Sequence, residues 1–270
     1  MFTRDLARPS FDMPEPGTVR HVPLAPHAMG ARITPAEHLF TLAHFGLGRM
    51  APEAWRLQIG GLVRRPLLLR LDDLSRFPKV RLEAVHQCAG NPLQPEIPTR
   101  RVANVVWSGV RLSDVLAVAE PEPAASFAWS DGADAGTFAG ISAPYFRKDL
   151  PLARLPEDVL VATELNDKPL PDRHGGPARL VVPGFYGTNS VKWLWRITLA
   201  DRRADALFTT RFYNDRLPGG EMRPVWALAP DSVIVSPAPD AEIRGPVKIS
   251  GWAWADGPVI AVEISDDSGA

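Results

Sequence analysis

The chain has 270 residues, of which 45% are hydrophobic and 23% are charged, a composition that fits a folded globular protein and excludes a disordered or collagen-like chain. Its 30 Lys and Arg residues nearly balance its 31 Asp and Glu residues, and the formal net charge of -1 predicts no nucleic-acid partner. No stretch approaches the roughly 18 apolar residues that a membrane span needs. The single cysteine, Cys88, excludes an intrachain disulfide, and no His/Cys cluster indicates a structural zinc site.

Residues 1–30 form a predicted Pro-rich N-terminal arm without the apolar run of a secretory signal. The absence of such a run predicts a cytoplasmic protein, or a periplasmic one if a leader has been lost. The 28 prolines argue against long helices and favour many short strands and turns.

The first half of the chain alternates predicted strands with short helices. Strands are predicted at residues 56–61, 66–71 and 80–87, a short helix from residue 71 that Pro78 stops, and an amphipathic helix at residues 112–119. The strand at 80–87 ends in the turn Cys88-Ala89-Gly90-Asn91-Pro92. Cys88 is therefore expected at the tip of a strand.

The second half contains a short apolar strand at residues 180–183 between two Gly-rich turns. From residue 225 the pattern changes to strands predicted at residues 232–237, 247–252 and 259–264. About 45 residues cannot supply the roughly seven strands of a complete β-sandwich. The sequence thus predicts an incomplete second domain at 225–270, after a main domain at 31–224.

Several motifs occur in an order and at a spacing that resemble the sulfite oxidase family of molybdenum-pterin enzymes. They are Thr34-Pro35, His44-Phe45-Gly46, Gln87-Cys88-Ala89-Gly90-Asn91, Trp107-Ser108-Gly109, His174-Gly175-Gly176-Pro177-Ala178-Arg179, Val182-Pro183-Gly184, Ser190-Val191-Lys192-Trp193-Leu194 and Gly251-Trp252-Ala253-Trp254. The resemblance implies a mixed, β-rich α+β molybdopterin-binding domain followed by a partial immunoglobulin-like β-sandwich, which in the family serves dimerisation. A homodimer is expected only if that second domain is complete.

The resemblance also implies one molybdenum-molybdopterin cofactor per chain, whose metal takes a single protein thiolate. Cys88 is the only candidate metal ligand and catalytic cysteine, and a thiolate is a soft ligand that suits a redox metal. One alternative is that Cys88 is a buried apolar side chain. A cysteine hydrolase is a further alternative, although no local signature of such an enzyme accompanies Cys88.

Positions that match the family's cofactor contacts carry imidazoles, cations and hydrogen-bonding groups, which suit a phosphate and pterin rings. They are His44, Asp134, His174, Arg179, Ser190 and Lys192. Taken singly, His174 could cap a turn, Arg179 could be a surface cation, and the contact at Lys192 could come from its backbone. Tyr213 matches the family's active-site tyrosine, with a half-buried structural aromatic as the alternative.

The implied reaction is two-electron oxygen-atom transfer on a small-molecule substrate, and the protein supplies binding and electrostatics. No Cys-x-x-Cys-His haem motif is present, so electrons are expected to pass to an external carrier such as a cytochrome. Two alternatives remain: a reductase of the same family that acts on sulfoxides or similar oxides, and a non-catalytic relic of the fold.

Three positions that hold arginine in sulfite-oxidising relatives are neutral in this chain. They hold Leu42, the pair Pro92-Leu93, and Gly257-Pro258-Val259. A dianion entering a desolvated pocket needs compensating charge, because an unpaired buried ion costs several kcal/mol. The sequence therefore predicts weak or no sulfite oxidation and a less charged substrate.

Overall fold

A computed structural model describes residues 7–22, 24–91, 101–155 and 158–265. Strands dominate these residues and helices are few and short, which confirms a β-rich fold. The strands are β1 (Asp12–Pro16), β2 (Val19–His21), β3 (Thr41–Ala43), β4 (Gly46–Arg49), β5 (Arg56–Gly61), β6 (Leu67–Arg70), β7 (Lys79–Gln87), β8 (Val102–Arg111), β9 (Phe127–Gly132), β10 (Gly136–Phe138), β11 (Ile141–Ala143), β12 (Arg147–Pro151), β13 (Leu160–Leu165), β14 (Lys168–Pro169), β15 (Arg179–Val181), β16 (Leu194–Ala200), β17 (Asn214–Arg216), β18 (Met222–Pro224), β19 (Asp231–Ser236) and β20 (Ser250–Trp254).

The helical elements are mostly single turns, as the proline content predicts. They are α1 (Leu112–Ala119), the 3-10 helices Pro26–Ala28, Ala36–His38, Pro52–Ala54, Leu71–Arg76, Leu152–Arg154, Asp172–His174 and Gly187–Asn189, and a π-helical turn at Leu207–Arg211. In the described ranges, no helix has the length and apolar character needed to cross a membrane.

Two sheets form the body of the protein. The first is a mixed five-stranded sheet of order β12-β9-β16-β5-β6, in which β16 and β5 run parallel and the other pairs are antiparallel. The second has the order β14-β13-β8-β7, and β15 also pairs with β13. The main core, which includes the fully buried Trp55, Trp193 and Ile197, draws residues from both sheets and from α1.

A second core covers the opposite face of the β8 and β13 sheet. Ala103, Val105 and Trp107 alternate along β8 and contribute to this core, as does Cys88. Since β8 and β13 are covered on both faces, the turn that follows β7 is packed against other residues on several sides. The N-terminal segment also packs onto the body, because β1 pairs with β4 and β2 pairs with β3.

The C-terminal segment forms one two-stranded antiparallel ribbon, β19 with β20. The strand predicted at residues 247–252 begins only at Ser250, and the strand predicted at 259–264 does not form. A strand is stable only when a neighbour accepts its backbone hydrogen bonds, and these residues have no such neighbour in the described chain. Ile260, for example, is 95% exposed. Of the strands expected in the sandwich, the described part of this segment forms only this ribbon, so the immunoglobulin-like sandwich is not confirmed.

Gly109 shows how closely the strands of the second sheet approach. A Cβ atom at this position would lie 2.1 Å from the carbonyl oxygen of Val161 on β13. We expect Gly109→Ala to lower the free energy of unfolding by about 1–3 kcal/mol, because the backbone must move to relieve the overlap. Urea denaturation of purified protein measures this. Gly219→Ala is the control, since nothing lies within 4 Å of the Cβ position there; equal stability of the two variants would contradict the prediction.

Candidate functional site

One cleft collects every site residue that the sequence analysis named. It encloses about 680 Å³ of non-atom space, a figure that includes its opening to solvent. The named residues that line it are His44, Cys88, Asp134, His174, Arg179, Ser190, Lys192 and Tyr213. They span 170 positions of the chain, so only the tertiary fold brings them together.

Most of these side chains stand at the ends of strands or in the turns between them. His44 lies between β3 and β4, Cys88 follows β7, Asp134 follows β9, His174 ends the 3-10 helix Asp172–His174, Arg179 begins β15, Lys192 precedes β16, and Tyr213 precedes β17. Gly175 after His174 has a φ of +99°, and a Cβ there would lie 2.7 Å from the Lys192 Cβ. A glycine is thus required for the two turns to meet.

The Cys88 turn is held by backbone hydrogen bonds. The Cys88 amide donates to the Arg101 carbonyl at 2.9 Å, and the Asn91 amide donates to the Cys88 carbonyl at 2.9 Å. The Gly90 amide points at the Cys88 Sγ atom at 3.4 Å. The thiol is 6% exposed and forms part of the cleft wall. In the described ranges no group of three or more His, Cys, Asp or Glu side chains could hold a metal, so a metal at Cys88 would need its other ligands from a cofactor.

Arg179 is a buried cation without a carboxylate partner among the described residues. Its guanidinium donates only to backbone carbonyls, those of His174 at 2.9 Å, Ser190 at 2.7 Å and Leu180 at 3.3 Å. Burial lowers the pKa of Arg179 to about 9. A buried cation that lacks a counter-charge is costly, and a bound anion would offset that cost. The reading of Arg179 as a surface cation is therefore wrong.

Lys192 and Asp134 are two further charged side chains in the cleft, and each affects the pKa of the other. Burial lowers the pKa of Lys192 and raises the pKa of Asp134, while their mutual attraction opposes both shifts. The Lys192 Nζ atom donates to the Leu42 carbonyl at 2.6 Å, so its ammonium group is held at the cleft wall beside Leu42. Counting Arg179 as well, the cleft has more cationic than anionic side chains.

His44 and Tyr213 share a hydrogen bond of 2.5 Å between Nε2 and the phenol oxygen. Burial lowers the pKa of His44 to about 4, and burial together with the charge of Cys88 raises the pKa of Tyr213 to about 12. At neutral pH the imidazole is therefore neutral and the phenol keeps its proton. The Nδ1 atom of His44 is buried and has no hydrogen-bond partner among the described residues. It belongs to a residue that lines the cleft.

His174 and Ser190 complete the predicted set. His174 is 3% exposed, and burial, followed by the charge of Arg179, lowers its pKa to about 3. The Ser190 Oγ atom accepts a hydrogen bond from the Val182 amide at 3.0 Å, which leaves its own hydroxyl proton to donate. Each residue therefore presents a neutral polar group to the cleft.

Two buried residues near the site were missed by the sequence analysis. His86 lines the cleft, and its position two residues before Cys88 on an alternating strand could have revealed it. Lys148 on β12 is 1% exposed and lies 5.2 Å from the ring centre of Tyr213, and its Nζ atom donates to the Phe208 carbonyl at 2.8 Å. Burial lowers the pKa of Lys148 to about 7. No motif signals this lysine.

Together these observations test whether the cleft fits an anionic cofactor with a metal. The thiol supplies one soft ligand, the unpaired Arg179 supplies uncompensated positive charge, and the unpartnered His44 Nδ1 atom supplies a hydrogen-bonding site. The residues fit such a group.

Comparisons with known proteins agree with this geometry. The family model described as "Oxidoreductase molybdopterin binding domain" matches residues 44–208. The mitochondrial sulfite oxidase of Rattus norvegicus is 35% identical over 264 residues, which cover 88% of this chain and 48% of that protein. A nitrate reductase [NADPH] of Fusarium oxysporum is 27% identical over 252 residues, which cover 80% of this chain and 27% of that protein.

Among solved structures, the sulfane dehydrogenase SoxCD from Paracoccus pantotrophus matches with a TM-score of 0.76 and 31% sequence identity, over 94% of this chain and 64% of that chain. This chain spans about half the length of the mammalian relatives that it matches. The family resemblance drawn from the motifs is confirmed.

Two of the buried histidines, His44 and His174, predict acid sensitivity of the cofactor-free protein. Because the pKa values of His44 and His174 in the folded state, about 4 and about 3, lie below the ordinary 6.5, the unfolded chain binds protons first as the pH falls. We expect each histidine to remove about 2 kcal/mol of stability between pH 7 and pH 5. Urea denaturation at both pH values measures the loss. His174→Gln should reduce the pH dependence, whereas the exposed His21→Gln should not; an unchanged slope in His174→Gln would refute the assignment.

Proposed function

Because this chain belongs to the oxidoreductase molybdopterin-binding domain family, we propose that it is a molybdenum-cofactor-dependent oxidoreductase that catalyses two-electron oxygen-atom transfer on a small substrate. The proposed enzyme is sulfite oxidase-like but not specific for sulfite. It holds one molybdenum-molybdopterin per chain and no haem, within residues 31–224. We assign residues 225–270 to the partial immunoglobulin-like domain.

The observation that carries this proposal is the meeting of one thiol with a buried, uncompensated cation in a single cleft. Cys88 and Arg179 are 91 residues apart in the sequence, yet both line this cleft. A cysteine that served only as apolar filler would not need a cationic cleft beside it, and a cysteine hydrolase would need a base to activate the thiol. Burial lowers the pKa of the nearby His86, but no hydrogen bond joins it to the thiol in the described chain.

In the proposed site, Cys88 is the single protein ligand of the metal. Arg179 and Lys192 would balance the negative charge of the cofactor phosphate, and their burial would strengthen that attraction. The unpartnered Nδ1 atom of His44 and the hydroxyl of Ser190 would supply hydrogen bonds to the pterin, as would His174 and Asp134, which line the same cleft. The residues given these roles are the same ones that the sequence analysis named as cofactor contacts.

When bound, the cofactor supplies oxygen-atom transfer coupled to the gain or loss of two electrons. Tyr213 keeps its phenolic proton at neutral pH and is held by its hydrogen bond to His44. When the His44 Nε2 atom carries the imidazole proton and donates to the phenol oxygen, the phenol proton of Tyr213 is left to donate to an oxygen atom of a substrate in the cleft. The aromatic rings around His44, including Phe208 at 4.9 Å and Phe138 at 4.5 Å between ring centres, exclude water from this side.

The proposed partners are a small-molecule substrate and an external electron carrier of cytochrome type, since the chain has no haem-attachment motif. A homodimer is proposed only where the sandwich domain is complete. The exposed Ile260, Val262 and Ile264 follow the ribbon and are the kind of apolar surface that a completed sandwich or a second copy would cover.

The charges of the side chains at the mouth of the cleft influence which substrates it can bind. Leu42 lines the cleft, and Gly257, Pro258 and Val259 are exposed, while Pro92-Leu93 falls outside the described residues. Three arginines approach from other positions: Arg173 lines the cleft, Arg20 pairs with Leu42 across β2 and β3, and Arg101 lies against Gly90. Arg173 and Arg20 are exposed and Arg101 is half-buried, and cations that face solvent attract an anion weakly. This supports poor binding of a small dianion.

A reductase of the same family is the second candidate. It is favoured by the similarity to a nitrate reductase of Fusarium oxysporum. Reduced viologen with a panel of sulfoxides and other oxides distinguishes the two directions, because only a reductase reoxidises the dye when an oxide is added.

Metal analysis tests the proposal directly. We expect purified protein from a host that makes the cofactor to contain about one molybdenum per chain, and Cys88→Ser to lose the metal or its activity, because the serine hydroxyl is a poor soft ligand. Ala89→Ser is the matched control, since it adds the same hydroxyl one residue away and keeps the thiol. A wild-type protein without molybdenum would leave the non-catalytic relic as the better description.

Sulfite reactivity tests the substrate proposal. We expect micromolar sulfite to reduce the oxidised metal centre slowly or not at all, because the three positions named above lack buried cations. Stopped-flow absorbance of the holoprotein follows the reduction. Leu42→Arg, which restores one cation in the cleft wall, should accelerate it; rapid reduction of the unmodified protein would contradict the proposal.

A further inference from the structure

The C-terminal ribbon makes direct polar contact with the turn that carries Cys88. Asp231 begins β19, and its Oδ2 atom accepts hydrogen bonds from the Gln87 Nε2 atom at 2.8 Å and from the Asn91 Nδ2 atom at 3.2 Å. Gln87 immediately precedes Cys88, and Asn91 ends the turn. One carboxylate oxygen from a segment 140 residues away therefore bridges both ends of the turn.

The opposite strand of the ribbon completes the contact. Trp254 pairs with Asp231 across the ribbon, and its Nε1 atom donates to the Gln87 Oε1 atom at 2.8 Å. Both ends of the Gln87 amide are thus engaged by two residues that face each other in the ribbon. Gln87 is 1% exposed, so water cannot replace either partner without opening the structure.

The Asn91 side chain links this contact to the other side of the turn. While its amide nitrogen donates to Asp231, its Oδ1 atom accepts a hydrogen bond from the backbone amide of Arg101. The Arg101 carbonyl in turn accepts the amide hydrogen of Cys88. The turn is therefore held by the ribbon on one side and by the start of the following segment on the other, which fixes the direction in which Sγ points.

The ribbon is attached to the body by contacts that do not involve Asp231. Val233 and Trp254 pack with Met29 and Leu228 in a small apolar core. The Trp252 Nε1 atom donates to the Met29 carbonyl at 2.6 Å, and the Leu228 amide donates to the Gly184 carbonyl at 2.8 Å. Removing the Asp231 carboxylate should therefore release the turn and leave the ribbon in place.

We propose that Asp231 and Trp254 are positioning residues for the Cys88 thiol, acting through Gln87 and Asn91. The C-terminal segment, expected from the sequence to serve dimerisation, then has a second role in shaping the cleft. The statement about the thiol stands on the hydrogen bonds alone, whereas its consequence for metal binding rests on the proposed function.

The first test measures the thiol in full-length protein made in a host that lacks the molybdenum cofactor. Cys88 is the only cysteine, so alkylation by iodoacetamide reports on this turn alone. We expect Asp231→Leu to react about tenfold faster, because the loss of charge-assisted hydrogen bonds favours local opening of the turn. Asp231→Asn should react more slowly than Asp231→Leu but faster than the wild type, since its amide oxygen can still accept both hydrogen bonds, whereas its amide nitrogen replaces the Oδ1 atom that accepts the Ser232 amide at 2.7 Å. Asp215→Leu, which removes a carboxylate from an exposed ion pair, is the control.

An unchanged alkylation rate in folded Asp231→Leu would overturn the proposal, as would an Asp231→Asn rate as fast as that of Asp231→Leu. If Asp231→Leu does not fold, Trp254→Phe decides, because it removes only one hydrogen bond to Gln87 and keeps an aromatic ring in the apolar core. Its rate should rise, and a wild-type rate would again overturn the proposal.

The second test measures molybdenum content in the same variants purified from a host that makes the cofactor. We expect molybdenum occupancy to fall in Asp231→Leu and to fall less in Asp231→Asn. The two proposals can fail separately. A wild-type protein without molybdenum would contradict the proposed function but leave the alkylation result valid. Full molybdenum occupancy together with fast alkylation in Asp231→Leu would limit the role of Asp231 to positioning the thiol.

Discussion

The burial of positive charge without a matching carboxylate is the constraint on which this site depends. Arg179 is held by three backbone carbonyls and no acid in the described chain, whereas Lys192, which donates to the Leu42 carbonyl, is also attracted by Asp134. Such an arrangement costs several kcal/mol in an empty cleft, so the surrounding sheets must stabilise it. The two-sided burial of the β8 and β13 sheet provides that stability, and the cleft keeps a positive charge that an anionic ligand can offset.

Exclusion of water also sets the protonation states around the cleft. Packed rings keep His44 neutral and Tyr213 protonated, and the same burial brings the pKa of Lys148 down to about 7. The carboxylate next to that lysine, Asp149, is already engaged by Arg203 at 2.9 Å, so it does not serve Lys148 alone. The site thus combines neutral hydrogen-bonding groups with cations whose charge depends on burial, a combination suited to holding a charged ligand in a fixed orientation.

The cleft is assembled from turns between strands and not from one continuous segment. His44, Cys88, His174 and Tyr213 each come from a different turn, and each turn is held by backbone hydrogen bonds or by a neighbouring element. The contact of the ribbon with the Cys88 turn follows the same pattern over a longer distance. This construction explains why a segment near the C-terminus can influence a thiol near the first third of the chain.

From the sequence alone came the β-rich class, the helix at 112–119, the position of Cys88 at a strand tip and the set of residues that line the cleft. Local patterns determine the first three features, because alternation and turn residues lie in neighbouring positions. The cleft residues were implied by the resemblance of the motifs to a known family. The tertiary structure alone decided that the strand predicted at 259–264 does not form, that Arg179 is buried and unpaired, and that Lys148 and Asp231 lie at the site. These outcomes depend on desolvation and on contacts between residues far apart in the chain, and neither quantity is encoded in any local pattern.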